Sequence, residues 1–75
     1  MIPSDIIAKK RNGYELSSND LSWFIKKYFE EYISEAQMSA LLMAIYFKGM
    51  TEKELVTLVR EMINSGQVIK FKKSN

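Results

Sequence analysis

The sequence predicts an all-α protein: a small four-helix orthogonal bundle, with a C-terminal tail whose alternation also admits a short strand. Three observations carry this. Ser17, Ser34 and Thr51 stand 17 residues apart, each three residues ahead of a carboxylate or amide (Asp20, Gln37, Glu54). That spacing marks a helix start: the hydroxyl accepts from the third helical N–H, and the third side chain reaches back to the cap N–H. Gly13, Gly49 and Gly66 are the only glycines, and each follows a helical pattern as a stop signal. Between starts and stops, the apolar residues recur with helical period.

The elements follow in order. Helix one covers about 4–11, with Lys9, Lys10 and Arg11 in its last turn. Cations there complement the negative end of the helix macrodipole, and that structural role accounts for them. Helix two covers about 18–32. Leu21, Phe24, Ile25, Tyr28, Phe29 and Tyr32 fall within about 140° of arc, so they form its inner face. Ser22, Lys26, Lys27, Glu30 and Glu31 take the outside, and Trp23 falls with them as an exposed aromatic.

Helix three, about 35–48, is different. Ala36, Met38, Ala40 to Ala44, Ile45, Tyr46 and Phe47 leave no apolar-free sector wider than about 60°. Two readings stand. In one it is a central core helix. In the other it also carries a surface that another chain covers, with the alanines at 36, 40 and 44 as a low ridge for close approach. Helix four, about 52–64, reads as amphipathic. Leu55, Val56, Leu58, Val59, Met62 and Ile63 are expected inside; Lys53, Thr57, Arg60 and Glu61 are expected outside. In the tail, Val68 to Lys72 admit either a strand or a solvated end.

Composition limits the chemistry. Seventy-five residues form one domain of modest core. Cysteine and histidine are absent from the sequence. Thiolate chemistry, His/Cys metal spacing and the usual neutral-pH base are therefore ruled out. The net charge of +2 comes from the tail: without Lys70, Lys72 and Lys73 there are eight basic residues against nine acidic. No catalytic, cofactor or metal residues are expected. Glu30 and Glu31 are neighbours that diverge in direction and cannot clasp one substrate. The order helix, turn, helix, glycine, strand from Leu41 to Phe71 is that of a winged helix-turn-helix. Against it, Glu54 and Glu61 would face phosphates, and the chain ends before a second wing strand.

"DIIAKKRNGYELSSND" (Asp5 to Asp20) and "ISEAQMSALLMAIYFKGMTEKE" (Ile33 to Glu54) resemble the opening of the pyrimidine nucleoside and thymidine phosphorylases, and Ser65-Gly66 matches the end of the next family helix. The resemblance covers about residues 4–66 without gaps. Asn12 replaces the family's Asp, and Val59 and Glu61 stand where Thr and Ala are common. The basic end "KFKKSN" departs most.

The resemblance implies a phosphate-dependent cleavage of pyrimidine nucleosides by a cytoplasmic homodimer. Each subunit would join a helical domain to an α/β domain, with phosphate as co-substrate. The K-H-S-x-G-G-x-G phosphate loop of the family does not occur in this sequence, so no catalytic residue carries over. Residues 1–66 are expected to be the helical, dimerisation-type domain. Residues 67–75 are expected to begin a linker or tail, with the catalytic α/β domain absent and the piece inactive. Helices one and three are the expected dimer face, with Ile6, Lys10, Gln37, Ala40, Leu41 and Ala44 as candidates. Neither nucleic acid nor membrane is an expected partner. The alternatives are a stand-alone helical interaction module and the winged-helix DNA binder.

Overall fold

A computed structural model describes residues 2–69. It is an all-α bundle of α1 (Pro3–Arg11), α2 (Ser18–Phe29), α3 (Glu35–Lys48) and α4 (Glu52–Ser65). No strand occurs among the described residues; Gln67 to Ile69 have no regular structure, and the rest of the expected strand lies outside them.

The three expected starts form as hydroxyl caps. Ser34 with Gln37 and Thr51 with Glu54 make the bonds in both directions. Ser17 accepts from the Asp20 N–H at 3.1 Å without a return bond. The aspartate is one methylene too short, and its carboxylate lies 3.8 Å from Lys9 Nζ instead. Pro3 opens α1, where its missing N–H costs no hydrogen bond.

Helix α2 ends at Phe29, earlier than expected. Glu31 takes a left-handed conformation at φ 64°, and the Tyr32 N–H reaches back to the Lys27 carbonyl at 2.9 Å. This is a helix-closing turn in which glutamate occupies the place that glycine usually takes. The turn carries Tyr32 outward, and its ring meets Trp23 edge-on at 6.4 Å. Trp23, expected exposed, is half-buried because it packs against the core, with the Tyr32 ring at its edge.

The helices pack as two pairs, α1 on α3 and α2 on α4, with a smaller α1–α2 contact joining them. The core is Ile6, Leu16, Leu21, Phe24, Ile25, Ile33, Met38, Leu41, Leu58 and Ile69. Phe24 is fully enclosed. Helix α3 is therefore not wrapped on all sides. Met38, Leu41 and Ala44 face inward, while Met43, Tyr46 and Phe47 are exposed. Four short helices arranged as two pairs give each helix one main neighbour, so its far side stays open.

Helix α4 corrects the expectation from its helical wheel. Its buried residues are Glu54, Thr57, Leu58 and Glu61. Leu55, Val56, Val59 and Ile63 are exposed. The physical reason is that polar partners wait on the inner side. Lys10, Ser18 and Ser22 satisfy the inward groups, so the helix turns its carboxylates in and its aliphatic row out.

Candidate functional site

The inner seam of α4 is polar but closed. Lys10 Nζ donates to both Glu54 carboxylate oxygens, at 2.7 and 2.9 Å. The Leu16 N–H donates to Glu54 Oε2 at 2.8 Å, and the Thr51 N–H to Oε1 at 2.8 Å. Glu54 is 1% exposed and Lys10 is 4% exposed. Burial pushes the Glu54 carboxyl up, but the Lys10 hydrogen bond, the two backbone N–H groups and the Lys10 charge outweigh it. The group sits below the ordinary carboxylate range. Further along, Ser22 Oγ donates to Glu61 Oε2 at 2.6 Å. Thr57 Oγ1 donates to the Lys53 carbonyl at 2.9 Å and lies 3.2 Å from the Ser18 hydroxyl.

Such a seam could be mistaken for a catalytic cluster. Its chemistry argues otherwise. Among the described residues no buried side-chain nitrogen or oxygen lacks a hydrogen-bond partner. A site built to take a polar substrate leaves some donor or acceptor free to meet it. Here they are taken up by bonds between helices, by helix caps and by backbone groups. The open cleft beside α1, lined by Asp5, Lys9, Tyr14 and Asp20, has its Lys9 cation already near Asp20. No group of three or more metal-ligating side chains occurs among the described residues.

What the surface offers is apolar. On α3, Ala36, Ala40, Met43 and Phe47 are exposed and follow a spacing of four, three, four. That spacing keeps them in one straight stripe, within about 60° of arc. Phe47 is 72% and Met43 57% exposed, with Tyr46 beside them at 81%. On α4, Leu55, Val56, Val59 and Ile63 form a second row. The α3 stripe is free of charged side chains, Glu52 continues the α4 row at its N-terminal end, and both rows look away from the chain's own core.

The expected interface residues are placed as follows. Ile6, Leu41 and Ala44 are buried within the chain, between α1 and α3. Lys10 is buried in the ion pair with Glu54. Gln37 is half-buried, and its Oε1 accepts from the Ser34 N–H at 2.9 Å in the α3 cap. Ala40 lies on the exposed stripe.

An alanine ridge of spacing four drifts about 40° per step, which carries Ala44 round onto α1. The four–three–four spacing of Ala36, Ala40, Met43 and Phe47 was the signal for the exposed row. For α4, the matching i, i+4 pairs Ser18/Ser22 and Thr57/Glu61 were the signal that the polar face turns inward. The winged-helix reading needs Thr57 outward with Lys53 and Arg60; Thr57 is buried, and the outer row is aliphatic. No helix of the described residues is long and apolar enough to cross a membrane.

Comparison with known proteins gives one family. The family described as glycosyl transferase family, helical bundle domain, matches residues 4–66. The pyrimidine-nucleoside phosphorylase of Staphylococcus haemolyticus is 45% identical over 71 residues, covering 95% of this chain and 16% of that protein. The thymidine phosphorylase of Mycoplasma genitalium is 39% identical over 67 residues, covering 89% of this chain and 16% of that protein. The pyrimidine-nucleoside phosphorylase of Bacillus subtilis is 43% identical over 65 residues, covering 87% of this chain and 15% of that protein. The chain thus spans about one sixth of the length of the curated relatives it matches.

Proposed function

The chain belongs to the glycosyl transferase family through its helical bundle domain, and from that membership we propose that it is the N-terminal helical portion of a pyrimidine-nucleoside phosphorylase. In this reading the parent enzyme splits thymidine or uridine with phosphate, giving the base and a pentose 1-phosphate. The present chain contributes assembly and performs no catalysis by itself. It works in the cytoplasm, and phosphate enters as co-substrate held elsewhere in the enzyme.

The observation that supports this is the pair of uncovered apolar rows on a chain in which, among the described residues, every buried polar side chain is hydrogen-bonded. Two rows call for two neighbours. The α1–α3 side takes a second copy, making a homodimer. The α4 row, Leu55, Val56, Val59 and Ile63, takes the α/β catalytic portion of the parent polypeptide. Four aliphatic side chains left in water forgo on the order of 1.5–3 kcal/mol each if fully covered, which is large beside the stability of a 75-residue unit.

A chimera tests the proposal. Residues 1–66 replace the matching stretch of the Staphylococcus haemolyticus enzyme, and phosphate-dependent release of base from thymidine and uridine is measured. We expect a dimeric chimera that retains phosphorolysis, and a Val59→Lys version that loses it while the isolated 75-residue chain carrying the same change stays folded. A soluble, folded chimera without phosphorolysis would overturn the proposal.

A further inference from the structure

The stretch that follows α1 is exposed from Asn12 to Glu15, and it opens with an asparagine followed by a glycine. We propose that Asn12–Gly13 is a site of spontaneous covalent modification in the folded chain: the Gly13 nitrogen closes on the Asn12 side chain, and the ring reopens as aspartate or isoaspartate.

The step balances with water as the only co-reactant. The Gly13 backbone nitrogen gives up its proton to hydroxide and attacks Cγ of Asn12. An N–Cγ bond forms, the Cγ–Nδ2 bond breaks, and the side-chain nitrogen leaves as ammonia. Water then adds to either carbonyl carbon of the cyclic imide. Opening at Cγ gives aspartate. Opening at the main-chain carbon gives isoaspartate, in which Cγ carries the chain on to Gly13. Either product adds a negative charge.

Local structure directs the reaction to this place. Glycine puts no side chain in the path of its own nitrogen. A Cβ built at Gly13 would meet nothing within 4 Å, so no neighbour crowds that path either. The cap bonds at Asn12 are made by main-chain groups, while Asn12 itself lines the open cleft with Lys9 and Tyr14. Asn19 and Asn64 are also exposed, but they lie inside α2 and α4 and precede residues that have side chains.

The resting conformer must open before it reacts. At ψ 4° the Gly13 nitrogen lies syn to the nitrogen of Asn12, a third of a turn away from the side chain. The Gly13 N–H donates to the Lys10 carbonyl at 2.9 Å, and the Tyr14 N–H to the Lys9 carbonyl at 3.1 Å. Rotation about ψ breaks these two exposed bonds and leaves the core intact. Two net backbone bonds slow the reaction about 5–150-fold below its rate in the unfolded chain. Waiting for global unfolding would slow it at least ~1000-fold. Local opening is therefore the faster route.

The product reaches further than the surface. Helix α1 packs on α3, and the Leu16 N–H is tied to the Glu54 carboxylate at 2.8 Å, so the stretch between them has both ends fixed. Isoaspartate lengthens the main chain there by a methylene, which pulls on the Leu16–Glu54 bond. Aspartate adds charge without length.

The test incubates the unmodified chain in mildly alkaline buffer, with folding followed by circular dichroism. Peptides are mapped by mass spectrometry, and the two isomers are separated by chromatography. Asn12 is expected to exchange its side-chain nitrogen for oxygen ahead of Asn19 and Asn64, giving both isomers. Ser22→Ala removes a bond on the α2–α4 seam and raises the unfolded fraction ~5–150-fold, yet should leave the rate at Asn12 unchanged. Reaction at Asn12 no faster than at the other two, aspartate without isoaspartate, or a rate that climbs with the unfolded fraction in Ser22→Ala would each sink the proposal. The purified isoaspartyl chain should unfold at lower urea than Asn12→Asp; equal midpoints would overturn the link to Glu54.

Discussion

Replacing Lys10 with methionine tests the account of the inner seam most directly. Methionine keeps roughly the length of the side chain and removes only the ammonium. Glu54 then remains buried at 1% exposure with two backbone N–H donors, from Leu16 and Thr51, and no counter-charge. Breaking a buried pair by deleting one partner costs about 3–5 kcal/mol. The two remaining N–H bonds argue for the lower end, about 3 kcal/mol. A domain of 75 residues has roughly 4–11 kcal/mol in total, so the variant keeps a folded population but a much weakened one. With a urea m-value of about 1 kcal/mol per molar, the midpoint followed by circular dichroism falls by about 3 M. Adding Glu54→Gln to Lys10→Met removes the stranded charge and leaves an amide oxygen for the backbone donors. Stability should recover by at least ~1.5 kcal/mol over Lys10→Met alone. The pH dependence supplies an independent check. The Glu54 carboxyl is held below its ordinary value of 4.5 in the native chain. The stability it contributes is therefore complete above about pH 5 and is lost as pH falls through the depressed value. In Lys10→Met the Lys10 bond and charge no longer oppose burial, and only the two backbone N–H groups still do; the carboxyl therefore titrates higher than in the parent, and the gap between variant and parent narrows on acidification. A midpoint change under ~0.5 M, or strictly additive single and double effects, would refute the reasoning and reduce the pair to an exposed ion pair in energy.

Four further outcomes follow from named contacts. Glu31→Gly, at the left-handed close of α2, is expected to raise stability by up to ~1 kcal/mol in thermal unfolding, because glycine takes that conformation without steric cost. Gly49→Ala should lower it by ~1–3 kcal/mol, since φ 81° with ψ 178° is strained for any side chain even where space is open. Ser22→Ala removes the 2.6 Å donor to the buried Glu61 carboxylate and should cost ~1–3 kcal/mol by urea titration. The Tyr28 hydroxyl ionises above its usual range, first through burial and then through the Glu35 carboxylate beside it. Glu35→Gln should lower that pKa, read by ultraviolet absorbance at high pH.

The fold was legible because its signals are local. A hydroxyl with a carboxylate or amide three residues on, or a glycine after an apolar period, is decided within one turn of chain. The end of α2 was missed because Glu31 stands where glycine would have announced the stop. The orientation of α4 was missed for a different reason. A helical wheel ranks faces by transfer from water, and it places Leu55, Val56 and Ile63 inside. The structure instead pairs Glu54 with Lys10, 44 residues away, and Glu61 with Ser22, 39 residues away. Such partners are invisible to any window along the chain. The row on α3 lay between these cases. Its residues were all visible in the sequence. Which of two adjacent spacings faced outward depended on where α1 came to rest.

The link from Lys10 to Glu54 also bears on how the molecule comes into being. During synthesis the ammonium of the first helix leaves the ribosome long before the acid that will answer it, and that acid opens the last helix. Until both have emerged, each carries a charge whose buried partner is missing. Cutting away the opening turns would strand an acid at the start of α4 as well as uncover α3.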